Sequence, residues 1–136
     1  MTIDSDNQDS LQKIVDLVAQ AKTAGADAAD AVFVAGASVS LAQRLGKPEH
    51  LSRSEYTDVG LRVFVGQRQA IVSSSDTAPE ALAELVERAV AMARVVPEDE
   101  FCGLAPEALL ATKIPDLDSN DPIEPDAETL KAHAAE

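Results

Sequence analysis

Val59-Gly60-Leu61-Arg62-Val63-Phe64-Val65-Gly66-Gln67-Arg68 is the stretch that decides the fold class. Val59, Leu61, Val63 and Val65 alternate with Gly60, Arg62, Phe64 and Gly66, a period of two that sends alternate side chains to opposite faces of a strand. Gly66-Gln67 fits a two-residue hairpin whose first central position needs a positive φ. Arg68 to Ser74 is then the returning strand. β-branched residues joined by short turns favour an antiparallel sheet.

Downstream, residues 78–95 read as a helix. Thr77 and Glu80 have capping-box spacing, and Pro79 falls in the first turn, where its missing N–H costs nothing. Leu82, Leu85, Val86, Ala89 and Ala93 make the apolar stripe, and Pro97 closes the helix. Upstream, Leu51 to Tyr56 reads as a polar edge strand, and Gly46, Lys47 and Pro48 as a turn. Val39 and Leu41 alternate with Ser38, Ser40 and Ala42, and Gly36 separates them from the apolar run Val32-Phe33-Val34. Residues 9–24 predict a helix, with Leu11, Ile14, Val15, Val18 and Ala21 on one face. Asp9 is its expected cap and Gly25 its left-handed stop. Further on, a short helix is expected near 106–111 and another from an Asp126 cap toward Glu136. The expected architecture is an α/β domain of the α+β type. A curved antiparallel sheet of about four strands is covered by two main helices.

The charge is uneven. The chain has 136 residues, 24 acidic and 11 basic, for a net charge of −13. Residues 1–97 hold 13 acidic and 9 basic side chains, whereas residues 98–136 hold 11 and 2, and five of the seven prolines lie from Pro97 onward. This divides the chain into an α/β domain over 1–97 and an acidic Pro-rich connecting segment over 98–136. The segment reads either as a solvated linker or as a strip that docks on a basic partner surface. The last helix meets no Gly, Pro or basic final turn, which is the pattern of a chain cut from a longer protein.

The same composition excludes several classes. A charge of −13 argues against binding a phosphate backbone or an anionic lipid surface. No run of 18 apolar residues is present, and the acidic, polar N-terminus does not read as a secretory signal. A lone cysteine, Cys102, fits a reducing compartment, so the expected location is cytoplasmic.

Catalytic chemistry is sparse. His50, His133 and Cys102 lie in three different segments, with no HExxH, HExxxH or CxxC spacing, so no metal site is expected within the chain. Cys102 follows Asp99 and Glu100, which oppose a thiolate. Ser73-Ser74-Ser75-Asp76 could be a nucleophile cluster, but serines and Asp ahead of a helix more often serve as turn and capping groups. Residues 44–68 form the one net-positive window, with Arg44, Lys47, Arg53, Arg62 and Arg68 against Glu49, Glu55 and Asp58. If Arg62 and Arg68 face one another across the hairpin, they form a patch for an acidic partner or the wall of a peptide channel. The alternative is two solvated strand residues.

Three stretches together resemble one family. Ala24-Gly25-Ala26-Asp27-Ala28-Ala29-Asp30-Ala31-Val32-Phe33-Val34 is similar to a helix-end GADxAEVFV pattern. Gly60 to Ala70, followed by Ser73-Ser74-Ser75-Asp76, is similar to a GLRVFVGxRxG…S-S/T-D run, with Ala70 where Gly is more usual. Pro97-Glu98-Asp99, Gly103-Leu104-Ala105 and Pro115-Asp116-Leu117-Asp118 complete the series. Their order and spacing resemble the PmbA (TldE) branch of the TldD/PmbA family, the "modulator of DNA gyrase" proteins.

The resemblance implies the N-terminal domain of a longer, PmbA/TldE-like subunit of a zinc metalloprotease system for peptide proteolysis and maturation. It implies no catalytic residue and no cofactor in this chain, with zinc held by a TldD-like partner. The implied partners are that subunit or further copies of the chain, plus a peptide substrate, with no nucleic acid and no membrane. On this reading Tyr56, Arg62, Arg68, Ser73, Ser74 and Ser75 are candidates for contacting the partner or lining the substrate path. Two other readings stay open: a metallopeptidase whose zinc ligands lie beyond residue 136, and a free-standing interaction module.

Overall fold

The computed structural model describes residues 3–118, 121 and 123–135. Helix α1 spans Ile3–Thr23, β1 Ala28–Arg44, β2 Lys47–Val65, β3 Arg68–Ser74 and α2 Pro79–Val95. A single 3-10 turn at Glu107–Leu109 and helix α3, Ala127–Ala134, complete the described elements. The fold class is the expected α+β, with one correction: the sheet has three strands, in the order β1-β2-β3, rather than about four. Gly36 does not break β1, and the polar stretch from Lys47 runs unbroken into the apolar strand at Val59. Tyr56 supplies the reason at Gly36: its ring lies where a β-carbon on Gly36 would sit, 2.6 Å away, so an aromatic side chain covers the bare backbone.

The chain divides into two compact units, Met1–Ala35 with Thr57–Leu109, and Gly36–Tyr56 with Leu110–Glu136. The first contains α1, α2, β3 and the apolar part of β2. β2 and β3 pair antiparallel, with Val65 opposite Arg68 and Leu61 opposite Val72. Gly66 opens the turn between them at φ +58, the positive value the two-residue hairpin requires. Leu61, Val63, Ala70 and Val72 share a core with Leu17 and Ala21 of α1 and with Leu85, Val86, Ala89 and Val90 of α2. All five stripe residues expected on α2 are buried. On α1 the buried face is Leu17 and Ala21, with Ile14 and Val18 packed beside them, while Leu11 and Val15 are more than half exposed. Apolar residues at 11, 14, 15, 17 and 18 outline two overlapping stripes, and docking on α2 chooses between them.

Helix ends also differ from expectation. Asp9 lies inside α1, which begins six residues earlier. Gly25 does end that helix, at φ +109. The Thr77–Glu80 capping box does not form. Pro79 is the first helical residue, so Ala78 is the cap, and its N–H donates to Asp76 Oδ1 at 2.9 Å.

In the second unit, α3 starts as expected: Asp126 Oδ1 accepts from Thr129 N at 2.8 Å. That hydrogen bond holds the Asp126 carboxyl below its usual pKa. The acidic segment is not a bare tether here. Arg53 of β2 donates to Glu124 at 2.8 Å and to Glu55 at 2.8 Å, and the Gln43 amide donates to the Lys131 carbonyl at 2.8 Å. Residues 119, 120 and 122 of the proline-rich stretch, and Glu136 at the expected helix end, lie outside the described residues.

Candidate functional site

Strand alternation in the first unit leaves one sheet face to the helices and turns the other away. Arg62, between core residues Leu61 and Val63, points to that second face, directly across from Ile71. Its guanidinium forms a two-pronged pair with Asp30 of β1, Nε to Oδ1 at 2.8 Å and Nη2 to Oδ2. It also sits 5.2 Å from the centre of the Phe64 ring, two residues along the same strand. The hydrogen bonds from Arg62 hold the Asp30 carboxyl below its ordinary pKa, against a smaller opposing effect of burial. Such a lowered carboxylate stabilises the fold at pH above its unfolded value, and the contribution disappears as pH falls through its folded one. Both side chains are more than a third exposed, so water screening limits the pair to about 1 kcal/mol or less.

Beside this pair lies a shallow recess of about 260 Å³, lined by Asp30, Ala31, Val32, Gly60, Arg62 and Ile71, among others. Gly60 keeps it open to β1, because a β-carbon there would meet Val32 Cγ1 at 3.1 Å. Val32 and Ile71 are 56% and 65% exposed, so the face offers apolar side chains around a neutralised ion pair. The arrangement suits burial against another surface. It offers no activated nucleophile, and among the described residues no group of three or more His, Cys, Asp or Glu side chains is placed to hold a metal ion.

The sequence-predicted residues separate. Arg62 and Arg68 lie on opposite faces of the hairpin, since Arg62 pairs with Ile71 while Arg68 pairs with Val65 on the core side. Arg68 engages Glu98 at 3.0 Å. Ser73, opposite Gly60, shares the face of Arg62. The Ser74 hydroxyl serves the turn before α2, accepting from Asp76 N at 3.0 Å, and Ser75 is exposed at the following bend. Tyr56 belongs to the second unit, over Gly36.

Arg68 is one brace among several at the β2–β3 turn. The Gln67 carbonyl accepts from Asp99 N at 2.7 Å. The Asp27 carboxylate accepts from Gly66 N at 2.7 Å, and Asp27 N donates to the Phe64 carbonyl at 2.8 Å. Gly25-Ala26-Asp27, Gly66-Gln67-Arg68 and Pro97-Glu98-Asp99 are distant in sequence but meet here. Asp27 and Asp30 were missed as partners of the hairpin. The available signal was an acidic residue at the start of an apolar strand, in a chain whose best strand carries one arginine, Arg62.

Residues 29–93 match the family described as PmbA/TldA metallopeptidase domain 1. Two curated relatives align over most of the chain. The Metalloprotease PmbA of Escherichia coli O157:H7 is 30% identical over 114 residues, covering 84% of this chain and 25% of the relative. The Metalloprotease PmbA homolog of Haemophilus influenzae is 36% identical over 112 residues, covering 82% and 24%. The chain therefore spans about a quarter of the length of these relatives. Two solved structures share the fold. A candidate modulator of DNA gyrase from Bacteroides thetaiotaomicron superposes with a TM-score of 0.71 at 18% identity, covering 77% of this chain and 24% of that one. TldE from Thermococcus kodakarensis gives 0.63 at 19%, covering 76% and 23%.

Proposed function

Because the chain carries the first, N-terminal domain of a PmbA/TldE-like member of the PmbA/TldA metallopeptidase family, we propose that it is an assembly domain. On this proposal its parent is the non-catalytic subunit of a cytoplasmic TldD/TldE zinc protease that processes peptides. The observation that carries the reading is the alignment of more than four-fifths of the chain with PmbA relatives. The catalytic zinc belongs to a TldD-like subunit, and the face bearing Asp30, Arg62, Val32 and Ile71 is buried against that subunit or against the peptide chamber it encloses. Burial there removes exposed apolar area from water and leaves an ion pair whose charges are already matched, so the desolvation penalty is contained. Arg62 and Ser73 keep their place as candidates beside the substrate path.

Co-expression of the complete gene product with a TldD-like subunit tests this. Val32→Glu with Ile71→Glu places two carboxylates on an exposed face, where folding tolerates them. The expected result is loss of co-purification by about tenfold or more, because unpaired charges are buried. Unchanged co-purification and peptide turnover would overturn the assignment of this face.

A second reading is favoured by the relatives' names, both of which contain "Metalloprotease". On it, the parent protein is itself a metallopeptidase, with its ligands in the three-quarters of the relatives' length that this chain does not span.

A further inference from the structure

Three short stretches meet at the end of the β2–β3 hairpin and close on one another. Gly66, Gln67 and Arg68 are consecutive, and each holds a group from outside the hairpin. Gly66 N donates to the Asp27 carboxylate at 2.7 Å. The Gln67 carbonyl accepts from Asp99 N at 2.7 Å. The Arg68 guanidinium meets Glu98 at 3.0 Å. Arg94 closes the remaining side, its Nη2 donating to the Ala24 carbonyl at 3.2 Å. The link from α1 to β1, the β2–β3 turn and the exit of α2 are therefore joined pairwise. In such a closed set each contact holds the geometry that the next one needs.

The exit of α2 depends on this arrangement for its direction. Val96 N donates to the Met92 carbonyl at 3.3 Å, and Pro97 ends the helical bonding because it has no N–H. Val96 is already extended, at φ −72 and ψ 155. Asp99 then fixes the path with three groups. Its N–H goes to the turn, its carboxylate accepts from Phe101 N at 2.9 Å, and its carbonyl accepts from Cys102 N at 3.1 Å. Residues 97–102 contribute nothing to the apolar core, so polar contacts carry the placement of this stretch. A region held in that way opens at a fraction of the free energy of global unfolding.

We propose that these contacts form a latch. The β2–β3 turn, held in shape by Asp27, grips Glu98 and Asp99 and sets the course of the connecting segment, and the three stretches release together while the core stays folded. Asp27 and Arg68 are positioning residues that act on the segment through the turn. The latch lies within the first unit and stands apart from the protease reading.

Amide hydrogen exchange of the complete gene product, read by mass spectrometry on overlapping peptides across residues 64–70, 82–93 and 97–104, is the test. In the wild type the Gly66, Asp99 and Cys102 amides are expected to exchange more slowly than open chain and faster than the amides of α2. The hydrogen bonds of Asp27 go to Gly66 and Phe64, in the hairpin. Even so, Asp27→Ala is expected to speed exchange at residues 99–102 by about tenfold or more, with α2 unchanged. Asp27→Asn keeps a side-chain oxygen that can accept from Gly66 N, and its exchange is expected to stay close to wild type. Arg68→Glu and Glu98→Arg are each expected to speed the same segment, and the two together to restore it. Fast exchange at 99–102 in the wild type, no response there to Asp27→Ala, or a charge-swapped protein no slower than its single variants would overturn the proposal. So would a response to Asp27→Ala that extends equally to α2, which is loss of fold and not release of a latch. The charge swap reads the latch independently of Asp27.

Discussion

Leu61→Ala is expected to destabilise the protein by about 2–5 kcal/mol, lowering its melting temperature on the order of 10 °C. Leu61 is fully buried at the centre of the apolar half of β2, directly opposite Val72. It belongs to the core in which the sheet meets α1 and α2. Truncation removes three carbons from that core, which also contains Ala21, Ala89 and Ala93, whose short side chains cannot swing in to fill a gap. Ile71→Ala is the matched control. It lies one strand over on the opposite face and is 65% exposed, so the expected loss is below about 1 kcal/mol. Thermal unfolding followed by circular dichroism reads both. Equal effects of the two would mean that the core is not on the helix side of the sheet.

Gly25→Ala is expected to cost about 1–3 kcal/mol, from backbone strain together with a displaced side chain. Gly25 sits at φ +109, beyond the left-handed region that any L residue reaches easily. A β-carbon there would come within 2.5 Å of Arg94 Nη2, which donates to the Ala24 carbonyl at 3.2 Å. The substitution thus also loosens the Arg94 hydrogen bond that ties the end of α2 to the end of α1. Gly103 is the control, with open space around its α-carbon and no left-handed φ, and Gly103→Ala is expected to be nearly neutral. Urea unfolding of the two variants beside the wild type distinguishes them, and an unchanged midpoint for Gly25→Ala would contradict the strain argument.

The parts legible in the sequence were those governed by local rules. The alternation from Val59 to Val65, the Gly66-Gln67 turn and the stripe of α2 depend on periodicity and on one φ requirement, and all three formed. What stayed hidden depended on distant residues. Gly36 looks like a strand break until Tyr56 is known to cover it. The two overlapping stripes of α1 are equivalent until α2 selects one. Thr77 has the correct spacing for a cap, but Pro79 fixes the helix start one residue later.

The candidate site followed the same division. That Arg62 lies on the face away from the core follows from parity alone. Parity along one strand says nothing of register with the next, so the separation of Arg62 from Arg68 required the pairing of β2 with β3. The partner of Arg62, Asp30, is 32 residues away, beyond the reach of any spacing rule. Proline and acid content mark a boundary near Pro97, yet Pro97-Glu98-Asp99 is fastened to the β2–β3 turn through Asp99 and Glu98. Residues 110–136 group with Gly36–Tyr56, where Arg53 holds Glu124. Charge content reports how a segment is solvated and leaves its contacts undetermined.

The central claim is that this domain belongs to a subunit that assembles with a zinc protease without supplying its metal. Elemental analysis of the complete gene product, purified alone without chelator and then together with a TldD-like subunit, tests it most directly. The account predicts no more than trace zinc and no peptide hydrolysis for the protein alone, with zinc and activity appearing only in the joint complex. Stoichiometric zinc together with peptidase activity in the protein alone would contradict it and establish the parent as the metallopeptidase.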